Sequence, residues 1–253
     1  MTEPYWFQLT RPGSPPGDGA PTTADSIAHM LALLHTSSVH VPVFDALRDR
    51  DHPGLPLRHI VSEELLTRAR TDGPDAVAGD IDKALASTVA DGAAAVLCTC
   101  STIGGVAETR AAALGVPVLR VDRPMAAAAV AVAPGGDRTT THIVVIAAVA
   151  DTVVPTVALI DEEAARSDRS VTMTAVVVDG AWDQFERGDQ AGYLTAIAAA
   201  VEAVDGADVI VLAQASMAGA ANRTTTAVPV LSSPAPGLRA AAAAASCPAS
   251  RTE

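Results

Sequence analysis

The chain has 253 residues, 49% of them hydrophobic but only 3% aromatic, so its core must be built from small aliphatic side chains packed closely together. Its 17 Lys+Arg stand against 29 Asp+Glu, a formal net charge of −12, and Lys83 is the only lysine; no basic stripe exists to neutralise phosphates, which argues against nucleic acid and anionic membrane surfaces as partners. No apolar run nears the ~20 residues of a spanning helix, the longest being Met125–Ala133 and Ile143–Ala150.

Residues 1–25 carry Pro, Gly and Thr without a basic segment leading into an apolar one, so they are expected to be a flexible leader and not a secretory signal. From Ser26 onward short apolar runs alternate with longer helical stretches, the pattern of βα units on a parallel sheet. Strands are expected at Ala28–Leu34, Leu57–Val61, Ala94–Cys98, Val116–Val121, Ile143–Val149, Val171–Val178, Val209–Leu212 and Val228–Leu231. Helices are expected at Pro42–Arg50, Asp75–Asp91, Val106–Leu114, Pro155–Arg166, Asp189–Val204 and Pro236–Ser246. The run Ala133-Pro134-Gly135-Gly136-Asp137 is a turn-rich break suited to an inter-lobe connection. Cys98, Cys100 and Cys247 are odd in number and two of them stand two apart, which speaks against a disulfide framework and for a reducing cytoplasm.

An internal repeat organises these elements. Asp91-Gly92-Ala93, an apolar strand and Cys98-Thr99-Cys100-Ser101-Thr102 are echoed by Asp205-Gly206-Ala207, an apolar strand and Ala213-Gln214-Ala215-Ser216, 114 residues later. Val116-Pro117-Val118-Leu119 recurs as Val228-Pro229-Val230-Leu231 at an offset of 112, and Leu33–Pro42 resembles Ile146–Pro155, with Pro42 and Pro155 separated by 113. The fold class that follows is α/β: two pseudo-symmetric parallel-sheet lobes facing a central cleft. The first lobe is assigned to residues 26–123, with 232–253 expected to complete it, and the second to 124–231. Ligands of parallel sheets bind at the carboxyl ends of the strands, so four loops should converge: His35-Thr36-Ser37-Ser38, Cys100-Ser101-Thr102, Ala150-Asp151-Thr152 and Gln214-Ala215-Ser216.

Hydroxyls and backbone N–H groups at helix N-termini receive carboxylates well. Ser37, Ser38, Ser101, Thr102, Thr152 and Ser216 are placed for that role, or for capping their own helices. A thiol between a strand and a helix N-terminus has its thiolate stabilised by the same field, which makes Cys100 a candidate base or nucleophile, whereas Cys98 reads as a small buried hydrophobe.

The order of these motifs, in the segment from Ile27 to Leu238, resembles the aspartate/glutamate racemase superfamily, which also holds hydantoin racemases, maleate isomerases and arylmalonate decarboxylases. The pieces that carry the likeness are His35-Thr36-Ser37, Cys100-Ser101-Thr102 and Leu212-Ala213-Gln214-Ala215-Ser216-Met217. The resemblance implies cofactor-independent chemistry at the carbon next to a carboxylate, a small carboxylic-acid or amino-acid substrate, and often a homodimer. Two cysteines face each other across the substrate in the family's racemases. Here the first falls on Cys100, and the second on Gln214 or, in the alternative register, on Ala215. Glutamine has no titratable proton, so a symmetric two-thiol racemase is excluded.

Three roles for Cys100 remain. It is one acid/base of a racemase or epimerase, with Asp151 or His35 as partner. It protonates the enolate left by a decarboxylation or another carbon–carbon cleavage. Or it adds covalently to an unsaturated acid. The substrate-binding set implied is Thr36, Ser37, Ser38, Ser101, Thr102, Thr152, Ala215 and Ser216, with Gln214 beside the reacting carbon. The non-enzymatic alternative is a carboxylate-binding protein. His40, His52 and His59 stand near Asp45, Asp49 and Asp51 but lack metal-ligand spacing. Gly104-Gly105 forms neither a dinucleotide fingerprint nor a P-loop. Trp182, Phe185 and Tyr193 read as packing or as a wall suited to an apolar substituent, and Cys247 as uninvolved.

Overall fold

The computed structural model describes residues 30–247, so the leader at 1–25, the start of the first expected strand and the last six residues lie outside the described residues. Eight strands form two four-stranded sheets. The first contains β1 (Leu31–His35), β2 (Leu57–Val61), β3 (Ala95–Cys98) and β4 (Val118–Arg120) in the order β2-β1-β3-β4. The second contains β5 (Thr141–Ala147), β6 (Val171–Val177), β7 (Val209–Leu212) and β8 (Val230–Ser232) in the matching order β6-β5-β7-β8. Every pairing is parallel. The central strands β1, β3 and β7 are buried along their whole length, as expected of strands covered on both faces.

The helices are α1 (His40–Asp51), α2 (Glu63–Asp72), α3 (Ala78–Ala90), α4 (Ser101–Glu108), α5 (Ala111–Leu114), α6 (Arg123–Ala131), α7 (Val153–Arg166), α8 (Ala181–Glu186), α9 (Gln190–Glu202) and α10 (Pro234–Ser246). Three-ten turns occupy Pro74–Val77, Ala150–Thr152 and Ala215–Arg223. Leu31 and Leu33 of β1 face Phe44 of α1 and Leu238 and Ala241 of α10, while Ala32 and Leu34 face Ile81 and Leu85 of α3 and Ile103 of α4. The second sheet repeats this: Ile143 and Val145 face α6 and α7, and Val144 and Ile146 face α9 and the Ala215–Arg223 turn.

The final helix of each half packs on the other half. Met125, Ala126, Ala129 and Val130 of α6 follow β4 in the chain yet lie on the second sheet. Leu238, Ala241 and Ala245 of α10 follow β8 yet lie on the first. The chain therefore passes from the first sheet to the second at Val121–Arg123, and the Pro-Gly break at Ala133–Asp137 lies after that passage, between α6 and β5. At the return passage Gly237 is pressed on Val121, where a Cβ would stand 2.5 Å from the Val121 carbonyl oxygen. Arg123 extends the tie by binding Glu108 of α4 together with Glu162 and Glu163 of α7. No helix among the described residues is long and apolar enough to cross a membrane.

Candidate active site

The carboxyl ends of β3 and β7 are superposable in their bonding. Thr99 N–H donates to the Leu34 carbonyl and Ala213 N–H to the Ile146 carbonyl, both at 2.9 Å. The next residue in each half is an extended N-cap, Cys100 with φ −110° and ψ 119° before α4, and Gln214 with φ −120° and ψ 140° before the Ala215–Arg223 turn. Of the two registers open in the sequence, this bonding selects the one that sets Gln214 against Cys100. The two strand ends touch, since the Ser101 hydroxyl donates to the Ala213 carbonyl across the cleft at 3.1 Å. Gln214 accepts the Ala148 N–H on its Oε1 at 2.7 Å, which leaves its NH2 as the group available to a ligand.

Between these ends lies a cavity of about 50 Å³. Of the residues expected from sequence, Cys100, Gln214, Thr36, Ser37, Ser101, Thr102, Thr152 and Ser216 line it. Four others do not. His35 is the last residue of β1 and fully buried beneath α1, with both ring nitrogens occupied, by Thr99 Oγ1 at 2.8 Å and His59 Nδ1 at 2.8 Å. Burial first, then the neighbouring His59 and His40, push its pKa down to about 3, so it stays a neutral structural imidazole. Asp151 turns outward and pairs with Arg70 at 3.5 Å with 58% of its side chain exposed. Ser38 is exposed and donates to Glu63 at 3.5 Å, and Ala215 borders a separate groove. The Thr152 hydroxyl is taken up by the Val149 carbonyl at 2.9 Å, so it caps its own turn as well as facing the cavity.

Six lining residues lay outside the expected site set: His40, Leu66, Arg70, Thr99, Trp182 and Phe185. Arg70, in the last turn of α2, brings the one formal positive charge to the cavity wall and sits over the Trp182 ring at 5.0 Å. Trp182 and Phe185 stack at 4.8 Å and line the same cavity. His40 opens α1, and burial lowers its pKa to about 4. Cys100 and His40 bring a thiol and an imidazole to the same wall. Ser216 is held by the Tyr193 hydroxyl at 2.9 Å; Tyr193 is fully buried, and burial raises its pKa to about 12, so it remains a neutral partner. Cys98 belongs to the core beneath, where burial pushes its thiol well above the usual range and keeps it protonated. A polar chain runs beneath the cavity floor from Thr99 through His35 and His59 to Asp45, whose Oδ1 lies 3.3 Å from His59 Nε2. No cluster of three His, Cys, Asp or Glu side chains suited to a metal ion occurs among the described residues.

No protein-family model matches the chain, and no curated protein matches its sequence. Solved structures do resemble it. A Yersinia pestis protein described as an Asp/Glu racemase aligns with a TM-score of 0.61 at 15% identity, over 85% of this chain and 98% of that one. Glutamate racemase from Bacillus anthracis gives 0.57 at 17% identity, over 83% and 79%. Unliganded arylmalonate decarboxylase gives 0.54 at 18% identity, over 85% and 92%. Two parallel α/β halves closing on one cleft thus give this chain the fold of the aspartate/glutamate racemase superfamily.

Proposed function

We propose that the protein is a cofactor-independent isomerase of the racemase or epimerase type, moving a proton at the carbon α to a carboxylate with Cys100 as its acid/base. The observation that carries this is the placement of Cys100 at the N-cap of α4, facing the same cavity as Gln214, Arg70 and His40. The substrate carboxylate is held by the Arg70 guanidinium, the Gln214 NH2 and the hydroxyls of Thr36 and Ser37, while Ser101 keeps its hydroxyl on the Ala213 carbonyl. The Cys100 thiolate, at the N-terminus of α4, removes the α-proton. The negative charge that moves onto the carboxylate oxygens is met by donors already in place, the interaction that commonly dominates such catalysis. His40 takes the place of Asp151 and His35 as second acid/base: a bound anion beside it favours the imidazolium, which then returns a proton. A reducing cytoplasm suits this use of a free thiol.

A decarboxylase on the same scaffold is the second reading. It draws on the single thiol, which protonates one face only, and on Leu66, Trp182 and Phe185, which line the cavity with apolar surface that favours loss of a charged carboxylate as carbon dioxide. Incubating the protein with amino, hydroxy and malonate-type acids in D2O and following proton NMR separates the cases. Exchange of α-hydrogen for deuterium supports the isomerase, carbon dioxide release supports the decarboxylase, and binding with neither identifies a carboxylate-binding protein and refutes both.

A further inference from the structure

We infer that the acid handled in this cavity carries an apolar substituent and no second carboxylate, and that the groove between α1 and the Ala215–Arg223 turn receives the substituent; this rests on the acid/base reading of Cys100.

The cavity of about 50 Å³ is a small fraction of the space beside it. The bulkier part of a substrate finds its room outside the cavity. Beside the cavity runs a groove of about 550 Å³, and His40, Phe185 and Ser216 line both spaces. A substituent that passes these three residues therefore enters the groove. Beyond them the walls are Val39 and Val43 of the α1 end, Leu194 of α9 and Ala218 of the Ala215–Arg223 turn. Val39 and Val43 are 45% and 39% exposed, two large apolar side chains left open side by side on the groove wall. Gly219 keeps the floor low, because a Cβ there would stand 2.9 Å from Leu194 Cδ1.

Charge decides the class further. Among the described residues no lysine, arginine, aspartate or glutamate lines the groove, and His40, at its border with the cavity, is committed to the reacting carbon. A second carboxylate, as in aspartate or glutamate, would lose water there without gaining a partner. Its charge would also oppose the net −12 of the chain. A monocarboxylic acid with a phenyl or branched alkyl group on the α-carbon meets neither cost and covers Val39, Val43 and Leu194.

The test measures α-deuterium exchange with phenylglycine, leucine and aspartate, and in parallel the calorimetric binding of phenylacetate and succinate, which have no stereocentre to invert. Phenylglycine or leucine is expected to exceed aspartate by about a hundredfold in kcat/KM, and phenylacetate to bind where succinate does not. Val43→Lys, with its fold checked by circular dichroism, gives a second carboxylate a partner and should cut that preference about tenfold, and Ala218→Leu should raise KM for phenylglycine by filling the groove. Equal rates for aspartate, or a preference that Val43→Lys leaves unchanged, overturns the inference. If no acid exchanges, the isomerase reading falls, and the binding arm still decides the groove: succinate binding as tightly as phenylacetate, or neither binding, overturns it. A wild-type dimer that Val43→Lys converts to monomer, with no phenylacetate binding, identifies a second copy of the chain as the occupant and also overturns it.

Discussion

Acidification provides a direct test of the buried imidazole under the cavity floor. His35 is fully buried with a pKa lowered to about 3, against 6.5 when solvated. Above pH 6.5 both the folded and unfolded chains hold it neutral. Below 6.5 the unfolded chain binds a proton that the folded one refuses until about pH 3, so stability falls as pH falls through that window. Each pH unit in it removes about 1.4 kcal/mol, and the step from pH 7 to pH 5 costs about 2 kcal/mol from this one residue. His40 packs beside it and is itself held below its usual range by burial, so the quantity to read is a difference between two chains. Urea unfolding of the wild type and of His35→Gln, each at pH 7 and pH 5, gives that difference by linear extrapolation. The wild type should lose about 2 kcal/mol more than the variant between the two pH values. Equal losses would refute the view that His35 is locked neutral, whatever the variant costs at pH 7.

Other substitutions test the site and the frame that carries it. Cys100→Ala should lower α-exchange by about a thousandfold, while Cys98→Ala keeps turnover and lowers the melting temperature; the reverse pattern would mean that the wrong thiol has been assigned. Arg70→Ala removes the cation from the cavity wall and should raise KM by about ten- to a hundredfold, with saturation kinetics as the check. Gly237→Ala drives a Cβ toward the Val121 carbonyl at 2.5 Å, a backbone contact that cannot swing aside, and should cost about 1–3 kcal/mol in thermal or urea unfolding.

Much of the fold is legible because period and repeat agree. β2 and β7 run over the residues expected, and each of the other strands overlaps its expected span. Misplacements have local causes. α4 begins at Ser101, five residues before the expected start, because Gly104 and Gly105 lie inside the helix under the Arg120 side chain, where a Cβ at Gly104 would stand 3.0 Å from Arg120 Cβ. Those glycines serve a close approach and break nothing. α6 is so apolar that its helical period is masked: Met125, Ala126, Ala129 and Val130 meet the second sheet while α10 packs on it as well. At the site, residues next to a strand end could be found from the repeat, and eight of the twelve expected line the cavity. Arg70 and His40 could not be found that way, since only the folding of α2 and the start of α1 over the cleft brings them to the wall. His35 sits at a strand end in sequence, but the last residue of β1 still points into the layer beneath α1.

The exchange of terminal helices between the halves fixes how the cleft can open. Both passages of the chain meet at one spot, Val121 against Gly237, and Arg123 anchors the same spot to α4 and α7. A motion of one half against the other would bend both passages at that contact, so a side chain added at Gly237, outside the residues that line the cavity, should be felt as a change in the rate of substrate entry and release.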